Sequence, residues 1–262
     1  MVTKGALIWS RYYLLTMSMA LFNLGFAAWS FWHYERESSP PTLIALEGPG
    51  PPQSSPSNAQ SLAKPPNQFM SMLQAFKSKT VILGSLFIFS YQGAEVTISG
   101  WVISFLIATR HGNPSAVGYV TAGFWGGITL GRFLLSHPAH KIGEKPFVYV
   151  MVTGAAIFEL LVWQVPNIIG DAVAVSIVGL VLGPVYPCAT AVFSRAIGRK
   201  DQVSSLGVIS AFGSSGGAVA PFTTGILAQA VGTFVLHPIA IGLFATMIIC
   251  WLNIPNVRKR TE

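Results

Sequence analysis

Residues 80–108 read TVILGSLFIFSYQGAEVTISGWVISFLIA, an apolar run in which Glu95 is the single charged side chain. At about 1.5 Å per residue, a helix of this length exceeds the roughly 30 Å hydrocarbon core of a bilayer. An acid in the middle of such a run is costly unless it faces protein or water. The stretch therefore predicts a membrane-crossing helix with an acid of functional interest. Ser85, Gln92, Glu95 and Ser99 follow helical spacing and form one polar stripe, which is expected to line water.

Six further apolar windows follow the same logic, at about 7–32, 116–135, 146–166, 172–194, 204–230 and 234–253. Seven spans consume most of the 262 residues. Only 10% of the side chains are charged and 52% are hydrophobic, which cannot cover a soluble surface. Cys188 and Cys250 both sit in apolar runs, so the disulfide framework of a secreted domain is excluded. The first window is too long for a signal peptide and lacks a small-residue cleavage site. It reads as a retained helix within residues 1–34.

Residues 35–79 differ in composition, with Pro40, Pro41, Pro49, Pro51, Pro52, Pro56, Pro65 and Pro66 among Ser, Asn and Gln. Such a segment buries too little apolar surface to offset ordering and is expected to be a disordered tether. Residues 80–254 then hold six spans, and 255–262 form a basic tail. Thirteen of the sixteen Lys and Arg residues fall on one side of this arrangement. By the positive-inside bias, that side, with the tether and the C-terminus, is cytoplasmic. The net charge of +7 is thus topological. It implies contact with anionic lipid and no nucleic-acid partner.

Inside the membrane, Glu95 is a candidate for proton exchange or for hydrogen bonding a hydroxylated solute, with a purely structural carboxyl as the alternative. Glu159 is a second proton-coupling candidate, placed where it could reach interfacial water. Gly183-Pro184-Val185-Tyr186-Pro187 removes backbone donors, which membrane depth tolerates only against protein or a cavity. Tyr186 stands beside that break as a candidate solute contact. Gly213, Gly217, Pro221 and Gly225 recur every four residues and predict a close-packing face. Gly127, Gly131 and Arg132, with Lys141 and Gly143 in a tight basic turn beyond the span, suit a gate built on an exchangeable ion pair. His137 and His140 flank Pro138 in the same loop without zinc spacing, so no metal and no cofactor is expected.

Spans two to four and five to seven form two units of three. Each unit opens with a polar or interrupted helix, and the odd span count inverts one unit relative to the other. Matching irregularities in inverted repeats point to a transporter binding site.

Together, Tyr91-x-Gly93-x-Glu95-x4-Gly100-Trp101, Gly127-x3-Gly131-Arg132 with Lys141-Ile142-Gly143-Glu144-Lys145, Gly183-Pro184-x-Tyr186-Pro187 and Gly213-x2-Gly216-Gly217-x3-Pro221 resemble the C-terminal half of a major facilitator superfamily transporter. The resemblance is greatest to fungal members of the fucose-permease-like group and covers about residues 80–253. It implies an all-α membrane protein: a six-helix bundle of two inverted repeats, preceded by one helix like the family's sixth. His140 stands where the family's loop motif carries an acid. Tyr91, Gln92, Glu95, Trp101 and Tyr186 would line the cavity, and a small polar, sugar-like solute and a proton would be the partners. A missing N-terminal bundle, in a longer chain or an assembled partner, would supply the rest of the cavity. The runner-up reading is a seven-helix receptor, and an enzyme is not expected.

Overall fold

The computed structural model describes residues 9–31, 76–198 and 201–255. The proline-rich tether up to residue 75, the basic tail and residues 199–200 lie outside the described residues. The chain divides into two compact units, 1–61 and 62–262. The described part of the first is α1 (Trp9–Phe31), a mostly apolar helix whose one charged residue is Arg11 in its first turn.

The second unit holds α2 (Lys79–Ala108), α3 (Pro114–Ile142), α4 (Glu144–Gln164), α5 (Ile168–Leu182), α6 (Val185–Ala196), α7 (Gln202–Val231) and α8 (Leu236–Asn253). A short 3₁₀ turn, Thr233–Val235, leads into α8. Of the described helices, α2, α4, the α5–α6 pair, α7 and the turn with α8 are long and apolar enough to cross a membrane. The protein is an integral multi-pass membrane protein. Glycine, Thr129, Arg132 and His137 keep α3 below that hydropathy, although its length suffices to cross.

The boundaries follow local chemistry. Asn113 caps α3 by accepting from Ser115 N, and Pro114 takes the first helical position, where no donor is missed. Asn167 caps α5 by accepting from Ile169 N and Gly170 N. The reading of 136–143 as a loop is corrected: α3 runs on through His137, Pro138 and Lys141 to Ile142. Gly143 alone joins α3 to α4, at φ 107°, a left-handed angle that disfavours any other residue. Arg132 thus lies about 15 Å short of the end of its helix.

The fifth span is two helices, broken at Gly183-Pro184. Pro187 sits in the first turn of α6, where the backbone donors have no helical partner to lose. Pro184 removes the donor that would have met Leu180 O. That carbonyl lies against Gly131 of α3, where a Cβ would overlap it. The freed group is buried against protein, as membrane depth requires.

Packing follows the two-unit symmetry. The first helix of one unit packs on the second of the other in both directions, α2 on α7 and α5 on α3. The first packs on the third likewise, α2 on α8 and α5 on α4, and the two third helices, α4 and α8, meet. Both principal seams are closed by glycine: Gly127, Gly131 and Gly179 between α3 and α5, and Gly213 and Gly216 between α2 and α7. On α7, Gly213, Gly217 and Gly225 lie against Ile88, Val96 and Trp101 of α2, and Pro221 O accepts from Trp101, with Gly216, Ala220 and Thr224 buried on the same side.

Candidate functional site

Three polar clusters sit in the six-span bundle. In the first, α2 carries Glu95 inward, buried at 8% side-chain exposure, with Arg132 Nη2 of α3 at 4.0 Å from its Oε1. The Arg132 side chain is 51% exposed, so the pair leads from the bundle interior to its surface. One turn before Glu95, Tyr91 is fully buried, and its ring lies 5.7 Å from that of Tyr186 in α6. The Tyr91 hydroxyl faces Glu95 and Arg132 without closing a hydrogen bond of ordinary length to either. Three helices thus place two phenols, a carboxyl and a guanidinium together. Such a group can hydrogen-bond several hydroxyls and present aromatic faces.

The remaining expected residues divide. Gln92 is half-buried one turn from Glu95. Ser85 is buried, while Ser99 turns its hydroxyl back to Glu95 O at 2.9 Å. Trp101 donates from Nε1 to Pro221 O at 3.1 Å in the α2–α7 seam. Gly127 and Gly131 lie in the α3–α5 seam, and Lys141 is exposed in the last turn of α3.

The second cluster marks the end of the bundle where α2 meets α3, α4 meets α5 and α7 meets α8. Glu159 reaches no interfacial water: it is buried, and Oε1 sits 2.8 Å from Nδ1 of the equally buried His237 in α8. That expectation is corrected because α8 closes over the carboxyl. Beside it, Arg110 Nε donates to Asp171 Oδ2 at 3.2 Å. Arg110 Nη2 donates to Val162 O at 2.8 Å and Trp163 O at 3.1 Å, closing carbonyls in the last turn of α4.

The third cluster is at the opposite, basic end. Arg195 in the last turn of α6 pairs with Glu144 in the first turn of α4 at 3.0 Å, each complementing its helix dipole. Trp251 Nε1 donates to Lys145 O, and Lys145 Nζ donates to Ile254 O, which ties α8 to the same corner. Among the described residues, Glu144 pairs with Arg195 at the basic turn, whereas Arg132 pairs with Glu95.

Sequence reasoning missed Arg110, Asp171, His237, Glu144 and Arg195 as interacting groups. Asp171 lay one residue outside the window drawn for its span.

The family model described as Major Facilitator Superfamily matches residues 2–221 and, in a second alignment, 85–262. "Bypass of stop codon protein 6" of Saccharomyces cerevisiae is 28% identical over 199 residues, covering 72% of this chain and 40% of that protein. "Glucose/galactose transporter" of Brucella abortus is 28% identical over 175 residues, covering 60% of this chain and 38% of that protein. The chain therefore spans about two fifths of the length of these curated relatives.

Proposed function

Because the chain belongs to the Major Facilitator Superfamily, whose members are transporters and not enzymes, we propose that it forms part of a secondary transporter for a small polar, sugar-like solute. The observation that carries this reading is the convergence of Tyr91, Glu95, Arg132 and Tyr186 from three helices. Glu95 and Arg132 would bind solute hydroxyls, with the tyrosine rings against the apolar face of the sugar. Gln92 would extend the polar wall along α2. The name of the bacterial relative supports a hexose as the first solute to try. Membership in a transporter family sets the receptor reading aside.

Alternating access needs two walls that rock about the solute. A second bundle, in the same polypeptide or in a partner, would supply the other. Gly127, Gly131 and Arg132, with Lys141 and Gly143 at the α3 terminus, would move with this wall during gating. A proton is the proposed coupling ion and Glu95 its carrier. The test is accumulation of labelled hexose under an imposed proton gradient by the complete transporter. Glu95→Gln is expected to abolish accumulation and leave membrane insertion intact. Undiminished accumulation would remove Glu95 from coupling, and failure of every monosaccharide to accumulate in the unmodified protein would overturn the sugar reading.

A further inference from the structure

Glu159 and His237 are sealed in the bundle at 1% and 0% side-chain exposure. One contact of 2.8 Å joins them, while Glu159 Oε2 and His237 Nε2 have no hydrogen-bond partner. Phe105 meets the imidazole edge-on at 4.3 Å, and Trp163 stacks on it at 6.4 Å. A carboxylate beside a neutral imidazole leaves one net negative charge in this apolar box. A buried uncompensated charge is costly, and one added proton removes it. The proton is then held between Oε1 and Nδ1, as imidazolium with carboxylate or as imidazole with carboxylic acid.

The neighbouring helices supply few other charges. The turn between α2 and α3 carries Arg110 and the exposed His111, α5 contributes Asp171, and α7 has no charged side chain. Arg110 and Asp171 already neutralise each other at 3.2 Å. Arg110 Cζ lies 5.2 Å from the Phe105 ring centre, so Phe105 contacts both Arg110 and His237. Two surface cavities reach this layer. One of about 590 Å³ is lined by Arg110, His111 and Asn167, and an apolar one of about 500 Å³ by Phe158, Leu161, Val165 and Asp171. The first reaches Arg110, with Asp171, Glu159 and His237 buried behind it.

We propose that Glu159 and His237 bind a single exchangeable proton, admitted from this end of the bundle past Arg110 and Asp171, at a site separate from the Glu95 cluster. Proton loss leaves a charge that draws Arg110 away from Asp171 and from the carbonyls of Val162 and Trp163. The end of α4 loosens as the site empties. The proton chemistry does not depend on the role given to Glu95.

The test is proton uptake by the purified chain in micelles, titrated across the pH range in which the chain stays folded. Wild type is expected to take up one proton per chain more than Glu159→Gln/His237→Gln, and Glu95→Gln is expected to retain that extra proton. Equal uptake by wild type and the double variant overturns the site, and loss of the extra proton in Glu95→Gln overturns its separateness. A second readout requires no change to the pair. In a chain with His33, His111, His137 and His140 replaced by Gln, the ring nitrogens of His237 are followed by NMR over the same range. A pH-dependent shift supports the proposal, and flat nitrogen signals overturn it.

Discussion

At the scale of single residues, the decisive contrast is between the two acids. Glu159 has its partner locked at 2.8 Å inside apolar packing, while Glu95 faces Arg132 at 4.0 Å, beyond hydrogen-bond length. With Arg132 half-exposed and the contact to the buried Glu95 loose, the pair contributes little to stability, about 0 to 1 kcal/mol, so it can open for a solute at small cost. Arg132→Gln should therefore fold with little change in thermal midpoint while weakening solute binding. If it shifts the midpoint as far as a core substitution does, the Arg132–Glu95 contact is structural, and its place in recognition falls. Arg110 is expected to behave in the opposite way. Its removal leaves Asp171 buried without a countercharge and the last carbonyls of α4 without a donor. Arg110→Ala should cost about 3 kcal/mol. Denaturant titration followed by circular dichroism would read this, and a loss below about 1 kcal/mol would contradict it.

At the scale of helices, the α3–α5 seam joins two sequence features that were read separately. Pro184 frees a carbonyl in α5, and Gly131 of α3 lets the backbone close over it. Gly131→Ala must push the helices apart, at about 1 to 3 kcal/mol as typical overpacking costs. The double variant Gly131→Ala/Pro184→Ala should recover little of this, since the clash is with the backbone itself. Recovery of the full loss would show that the proline, not the close approach, sets the seam. The positions of the spans and the broken fifth crossing were legible because apolar length and proline chemistry act locally. The far end of α3 was not. Pro138 and two histidines argue for a loop, and tertiary packing carries the helix past them to Gly143. Glu95 was legible as the lone charge of one apolar element, whereas Tyr91 came only with the family resemblance. The pairs Glu159–His237, Arg110–Asp171 and Glu144–Arg195 were not, because each depends on which helices become neighbours, and periodicity within one helix carries no information about that.

At the scale of the whole molecule, charge and packing describe the same two ends. Lys77, Lys79, Lys141, Lys145 and Arg195 gather where α3 meets α4 and where α6 and α8 finish, whereas Arg110 marks the other end. By the positive-inside bias, the first end is expected to face the cytoplasm. Both native cysteines are buried, so introduced ones can be read against a quiet background. Ser115 and Lys141 are exposed at opposite ends of α3 and suit the purpose. In sealed vesicles of known orientation, an impermeant maleimide should label Ser115→Cys from the non-cytoplasmic side only and Lys141→Cys from the cytoplasmic side only. The reverse pattern would invert the bundle. It would also place the proton entry past Arg110 on the cytoplasmic side, so that the proton gradient would act on Glu159 and His237 in the opposite direction. Labelling of both positions from one side would break the crossing of α3 on which the inverted-repeat packing depends.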